Sequence, residues 1–255
     1  MQRFVVCMKY GTVYPPACVN VLFNAVKSSL AGDFRFICLT DDGVGIDPEV
    51  EILPIPEVGL TPAEWFIGGV WPKIGLFDAH FHGLKGRALF IDLDMVILRG
   101  LDAFFEIEEP FVGLNAGPGW GRGGFPTEYG SAVISYELGS LGHIAEQFRQ
   151  NKRKIIQSFR TEQAYSATLI PAMHFWPEGW VLSFKRSLRR PMLADLIIPP
   201  KSPPETARMV AFHGKPRPQD LLPGGPLFWD RFPHLGCGVV PWMKAYWERN
   251  GGYNG

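Results

Sequence analysis

The chain has 255 residues, a formal net charge of +0, and hydrophobic and charged fractions of 46% and 20%, which suit a folded protein with a sizeable core. That balance excludes a dedicated nucleic-acid binder, which needs a basic footprint to neutralise phosphates, and an aromatic content of 13% excludes a largely disordered chain. No apolar run reaches the roughly 18 residues of a membrane-spanning helix, and the start MQRFVVCMKY meets a charge too early for a signal peptide; the expected setting is cytoplasmic, with at most peripheral membrane association.

In chain order, RFVVCM (3–8) reads as a buried strand. After Pro15-Pro16, the residues Val19, Leu22, Phe23, Val26 and Leu30 recur at helical spacing, and Gly32 follows as a stop. FRFICLT (34–40) is a second strand closed by Asp41-Asp42-Gly43, and VEILPI is a third. A helix is expected over 72–80, opened by Pro72, and one continuous strand over 87–97. The second half holds a glycine-rich loop, GPGWGRGG (117–124), a strand over 131–136 and a helix over about 141–150. Thr161 is a good cap for a further helix, with Glu162 in its first turn. The proline-rich piece IIPPKSPPE (197–205) is a stiff connector. Cys7, Cys18, Cys38 and Cys237 form no Cys-x-x-Cys pair, so reduced, buried thiols are expected.

Alternating strands and helices predict a single-domain α/β fold with a mainly parallel central sheet flanked by helices. Residues 219–255 would be an irregular tail. In such sheets ligands bind beyond the carboxyl ends of the strands, where Lys9, Asp41, Asp42, Asp92 and Asp94 fall. The stretch ALFIDLDMVI sets Asp92 and Asp94 two apart, hence on one side of a strand. Neighbouring anions repel, and desolvation worsens their position. Manganese or magnesium, which favour oxygen ligands, would resolve both difficulties. The alternative is that both carboxylates are solvated, or paired with Arg87 or Arg99.

LFIDLDMVILRGLDAFF resembles the Asp-x-Asp strand of nucleotide-sugar glycosyltransferases with the GT-A fold, in the branch containing glycogenin and the bacterial lipopolysaccharide galactosyltransferases. Three further pieces match in order: WPKIGLF with Lys73, RTEQAYSA with Glu162-Gln163, and VAFHGKPRP with His213, Gly214, Lys215 and Pro216. The resemblance spans roughly residues 1–218 and implies a nucleotide-binding half over 1–100 and a donor-sugar and acceptor half over 101–218. There are departures. Gly130-Ser131-Ala132 stands where the family commonly has Asn-Ser-Gly, Glu162 replaces the usual aspartate, and His213 and Lys215 are unusually close together.

The resemblance implies Mn2+ (or Mg2+) held by Asp92, Asp94 and His213, and a nucleotide diphosphate sugar, a UDP-sugar, as donor. A hexose would pass to a glycan or lipid-linked acceptor with retention of configuration. Asp92 would share the ion or bind the ribose; Gly214 and Lys215 would lie on the diphosphate; Lys73 and Ser131 would reach the sugar nucleotide. Glu162, with Gln163, would stabilise the cationic anomeric centre or act as nucleophile or base. Lys9, Tyr10 and Tyr14 are candidates for base contacts, Tyr14 by stacking on uracil, with Asp41 or Asp42 near base or ribose. Trp120 in the glycine-rich loop is a candidate sugar platform. Two other classes compete. A sugar-1-phosphate nucleotidyltransferase would carry a glycine-rich phosphate loop after the first strand, where KYGTVYPP offers one glycine. A catalytically silent sugar-nucleotide or glycan binder would have kept the fold alone.

Overall fold

A computed structural model describes residues 2–117 and 129–252. Trp120 and most of the glycine-rich loop lie outside the described residues. The central sheet contains β1 (Arg3–Lys9), β2 (Arg35–Thr40), β3 (Glu51–Leu53), β4 (Arg87–Ile91), β6 (Phe111–Asn115), β7 (Tyr129–Glu137) and β8 (His174–Phe175), in the order β3-β2-β1-β4-β7-β6-β8. A small second sheet joins β5 (Met95–Ile97), β10 (Met209–Ala211) and β9 (Val181–Ser183) in the order β5-β10-β9. The four strands β3, β2, β1 and β4 run parallel, and β7 is antiparallel to both β4 and β6. The expected mainly parallel α/β sheet is the architecture observed.

Alternation along each strand builds two cores. Phe4, Val6 and Met8 of β1 pack on one face with Ile37, Leu39, Ala88 and Phe90, while Val5 and Cys7 pack on the other with Cys38, Leu89 and Ile91. The helix Pro16–Lys27, opened by proline at its first position, buries Cys18, Val19, Leu22, Phe23 and Val26 on the second of these faces. Cys7, Cys18 and Cys38 are free and buried.

Several sequence expectations are corrected. The 87–97 segment is not one strand: β4 ends at Ile91, and β5 belongs to the other sheet. Asp92 and Asp94 therefore sit in a turn, closed by Met95 N–H donating to Asp92 O at 3.1 Å, and the strand-face argument for pairing them does not hold. The 72–80 helix is a tighter turn, Trp71–Phe77, with 3-10 geometry. The helix expected over 141–150 runs Gly142–Ser158, broken in conformation at Asn151. The 219–255 segment, expected to be irregular, contains the helix Pro241–Arg249, which buries Met243, Tyr246 and Trp247 in the first core. Among the described residues no helix is long and apolar enough to cross a membrane.

Candidate active site

The carboxyl ends of β1, β2 and β4 meet a buried polar cluster. Lys73, in the Trp71–Phe77 turn, is centred on it: its Nζ lies 3.0 Å from Asp92 Oδ2 and 3.7 Å from Glu162 Oε1. It also donates to Ser131 O and Ser131 Oγ, both at 3.1 Å. Ser131 Oγ donates in turn to Glu162 Oε1 at 2.7 Å, and Ser131 N–H to Gln163 Oε1 at 3.2 Å. Local structure explains each placement. Asp92 N–H donates to Ala132 O at 2.9 Å, extending the β4–β7 ladder by one residue and setting Asp92 beside Ser131. Thr161 Oγ1 caps the short helix Glu162–Ser166 by accepting from Ala164 N–H, as the sequence predicted. Gly69 O accepts from Glu162 N–H at 2.9 Å.

The electrostatics follow from burial. Burial alone would lower the Lys73 ammonium, but the Asp92 and Glu162 carboxylates outweigh it and hold the group above the usual lysine range. Burial raises Asp92 and Glu162, with Lys73 as the main opposing pull. Asp94 is pushed up to about 7 by burial and by the Asp92 charge beside it. Its Oδ2 accepts from Tyr14 OH at 3.3 Å. Three carboxylates thus face one ammonium.

Other candidates fall nearby. Lys9 is buried at the end of β1 and donates to Asp42 O at 3.1 Å, while Asp41 Oδ2 accepts from Gly11 N–H at 3.0 Å. These contacts bind the β1 and β2 ends together. Tyr10 packs against Trp65 and Phe66, with ring centroids 6.2 and 6.1 Å apart. Burial, then Asp92 and Glu162, push its phenol up to about 12. The Arg217 guanidinium lies 5.4 Å from the centre of the Tyr14 ring.

The second sheet brings the distant VAFH segment back. Pairing of Ala211 with Met95 continues as Phe212 N–H donating to Asp94 O at 3.0 Å, so the backbone before His213 runs beside the Asp-x-Asp turn. The imidazole turns elsewhere: His213 Nε2 lies 2.7 Å from Ser183 Oγ. Burial, with the Lys185 and Arg186 cations, pulls it down to about 4. Among the described residues no group of three His, Cys, Asp or Glu side chains is arranged to hold a metal ion. Asp92, Asp94 and His213 remain the ligand set that the resemblance implies; here the histidine lies against a hydroxyl and near two cations.

A divalent cation nevertheless fits the two carboxylates. Asp92 and Asp94 lie two residues apart in one turn, and burial opposes the ionisation of both; hard cations are commonly held by one or two carboxylates with substrate phosphates. Sequence reasoning missed two basic residues near His213. Lys185 and Arg186 sit in the turn Phe184–Leu188, directly after β9. A side chain placed on Gly214, whose φ is +79°, would come within 3.8 Å of Lys185 Nζ. The run SFKRSLRR was the available signal, but its position depends on β9 pairing with β10. An open cleft of about 430 Å³ lies alongside, lined by Asn115, Trp176, Glu178, Leu182, Ser183 and Ser187 among others.

Neither a protein-family model nor a curated protein sequence matches the chain. Solved structures do. The glycosyltransferase GlyE of Streptococcus pneumoniae superposes with a TM-score of 0.59 at 11% identity, over 98% of this chain and 61% of that one. The galactosyltransferase LgtC, solved with donor and acceptor sugar analogues, gives 0.59 at 10% identity, over 97% of this chain and 95% of that one. The bifunctional glycosyltransferase WbbM gives 0.53 at 11% identity, over 85% and 46%. The chain thus spans about three fifths of GlyE, under half of WbbM and nearly all of LgtC. At these identities the likeness is one of fold, and the fold of this chain is the GT-A arrangement of bacterial glycosyltransferases.

Proposed function

We propose that this chain is a metal-dependent glycosyltransferase that moves a hexose from a UDP-sugar to a glycan or lipid-linked acceptor. The observation that carries the reading is the buried Lys73–Asp92–Ser131–Glu162 cluster beside Asp94, at the strand ends where a GT-A fold binds its donor. A core of purely structural purpose gains little from three carboxylates around one ammonium, because desolvating them costs more than the pairing returns.

Each group has a task in this reading. Asp92 and Asp94 would hold Mn2+ or Mg2+, which would supply Lewis-acid stabilisation to a departing diphosphate. Lys215, with Lys185 and Arg186 on the neighbouring turn, adds positive charge on the phosphate side. Tyr14 orients Asp94, with Arg217 against its ring. Lys9, Asp41 and Asp42 shape the strand ends that would receive ribose and base, and Tyr10 closes that side with Trp65 and Phe66. Glu162, held by Ser131 and Lys73, offers a carboxylate to the oxocarbenium-like anomeric centre. Gln163 fixes Ser131 from the other side. The acceptor would enter by the 430 Å³ cleft. Retention follows the resemblance to the galactosyltransferases.

The test is release of free UDP from a panel of UDP-sugars with and without manganese. Metal-dependent release that Glu162→Gln lowers by at least about tenfold, about 1.4 kcal/mol of barrier, supports the reading; tight UDP-sugar binding with no turnover on any acceptor refutes it. That outcome belongs to the silent binder.

A further inference from the structure

An anion that enters at the strand ends needs hydrogen-bond donors the protein has not already used. Lys73 has none to give. An ammonium carries three N–H donors, and here they go to Asp92 Oδ2 at 3.0 Å and to Ser131 O and Ser131 Oγ at 3.1 Å each. Its charge is matched as well, since the Asp92 and Glu162 carboxylates flank it. Lys215, in the segment that returns beside the Asp-x-Asp turn, is exposed.

Arg217, two residues further on, differs from both. It is half-buried, and its guanidinium stands 5.4 Å from the centre of the Tyr14 ring, whose hydroxyl donates to Asp94 Oδ2 at 3.3 Å. Burial and the Asp94 charge raise the Tyr14 phenol and the Cys18 thiol, while the Arg217 charge opposes the rise in both. One corner thus gathers Arg217, Asp94, Tyr14 and the first turn of the helix Pro16–Lys27. That helix starts with no side-chain cap and no acid in its first turn, and a helix start favours negative charge over positive. Among the described residues no carboxylate pairs with the guanidinium. Asp220, the nearest acid in sequence, accepts from the Arg217 backbone N–H at 2.9 Å instead. Asp94 is the acid in the corner, and the reading above commits it to a divalent cation.

With Asp92 and Asp94 so committed, Arg217 is the cation left for an incoming anion. We propose that Arg217 grips the diphosphate of the donor and that Lys73 acts only within the protein, as the counter-charge of Asp92 and Glu162. A guanidinium presents paired, parallel donors that match phosphate oxygens, and an ammonium does not. Tyr14 holds the guanidinium over its ring, so that face of the ring is closed to uracil. The proposal deepens the glycosyltransferase reading and rests on it, because the anion is a nucleoside diphosphate ester.

Binding of UDP by calorimetry, and of uridine by ligand-observed NMR, tests this on the full chain with manganese. Arg217→Gln should weaken UDP at least about tenfold, the loss of two charge-assisted bonds, and change uridine by less than about twofold. Arg217→Lys, which keeps the charge and loses the fork, should fall between native and glutamine variants. Unchanged UDP affinity in Arg217→Gln overturns the proposal and leaves the glycosyltransferase reading standing. Equal weakening of uridine and UDP also overturns it, by showing that the arginine only supports the Tyr14 corner. A native chain that binds none of UDP, ADP and GDP with manganese refutes the donor reading itself, and the role of Arg217 falls with it.

Discussion

Replacing Lys73 by methionine tests the electrostatic centre of the site most directly. Methionine keeps most of the volume under Phe90, whose ring centre lies 4.8 Å from Nζ, so the main loss is charge. Two carboxylates then remain without their cation. Glu162 has a side chain 6% exposed, and Asp92 one 30% exposed. Breaking a buried ion pair costs about 3–5 kcal/mol; water reaching Asp92 reduces its share, so a loss of about 3 kcal/mol near neutral pH is expected. The pH dependence carries the sharper test. Burial already raises both acids, and Lys73 is the group that opposes the rise; without it they rise further. An acid whose folded pKa exceeds its unfolded value costs nothing below the unfolded value and the full amount above the folded one. The deficit of Lys73→Met should therefore be smallest near pH ~4 and grow toward pH ~8. Urea denaturation at both pH values measures it. The companion Lys73→Met/Glu162→Gln should recover at least about 1 kcal/mol at the higher pH, since it removes the stranded charge. A deficit independent of pH, with no recovery in the double variant, would refute the account and leave lost packing as the cause.

Two other substitutions separate function from stability. Asp94→Asn should abolish manganese-dependent UDP binding, read by calorimetry, yet raise the thermal midpoint of the metal-free protein above pH ~7, because the carboxyl it replaces is held up to about 7 and its ionisation opposes folding. The gain, about 1–2 kcal/mol after discounting for partial exposure, should vanish below pH ~4; a lower midpoint at pH ~8 would contradict the assignment. Asp195→Asn, which breaks the Arg189–Asp195 pair far from the cluster, should cost about 3–5 kcal/mol in urea denaturation; a loss under about 1 kcal/mol would show that Asp230 and His234 O suffice to hold the guanidinium.

Much of the site could be read directly. Asp92, Lys73, Ser131 and Glu162-Gln163 were singled out in the sequence, and the structure brings them within hydrogen-bonding reach of one another. Period-two apolar patterns located the central strands, because a buried sheet demands them. The break after Ile91 was illegible: RALFIDLDMVI is equally good as one strand, and only the departure of β5 to pair with β10 ends it. Nor could the sequence show that the Lys73 ammonium is buried. Its burial is decided by Asp92, Ser131 and Glu162, which approach from three separate elements.

By itself the sequence determined the elements whose signals are local: the alternating strands, the proline-opened helix Pro16–Lys27 and the threonine cap at Thr161. It also placed the acidic residues at strand ends. The tertiary structure alone decided which charges meet. The pairing of β5, β10 and β9 carries His213 back beside Asp94 yet turns its ring to Ser183, and it delivers Lys185 and Arg186 to the same corner. The reason is that propensity and capping act over a few residues, whereas the energy of a buried charge depends on partners tens of residues away, which only the folded chain brings together.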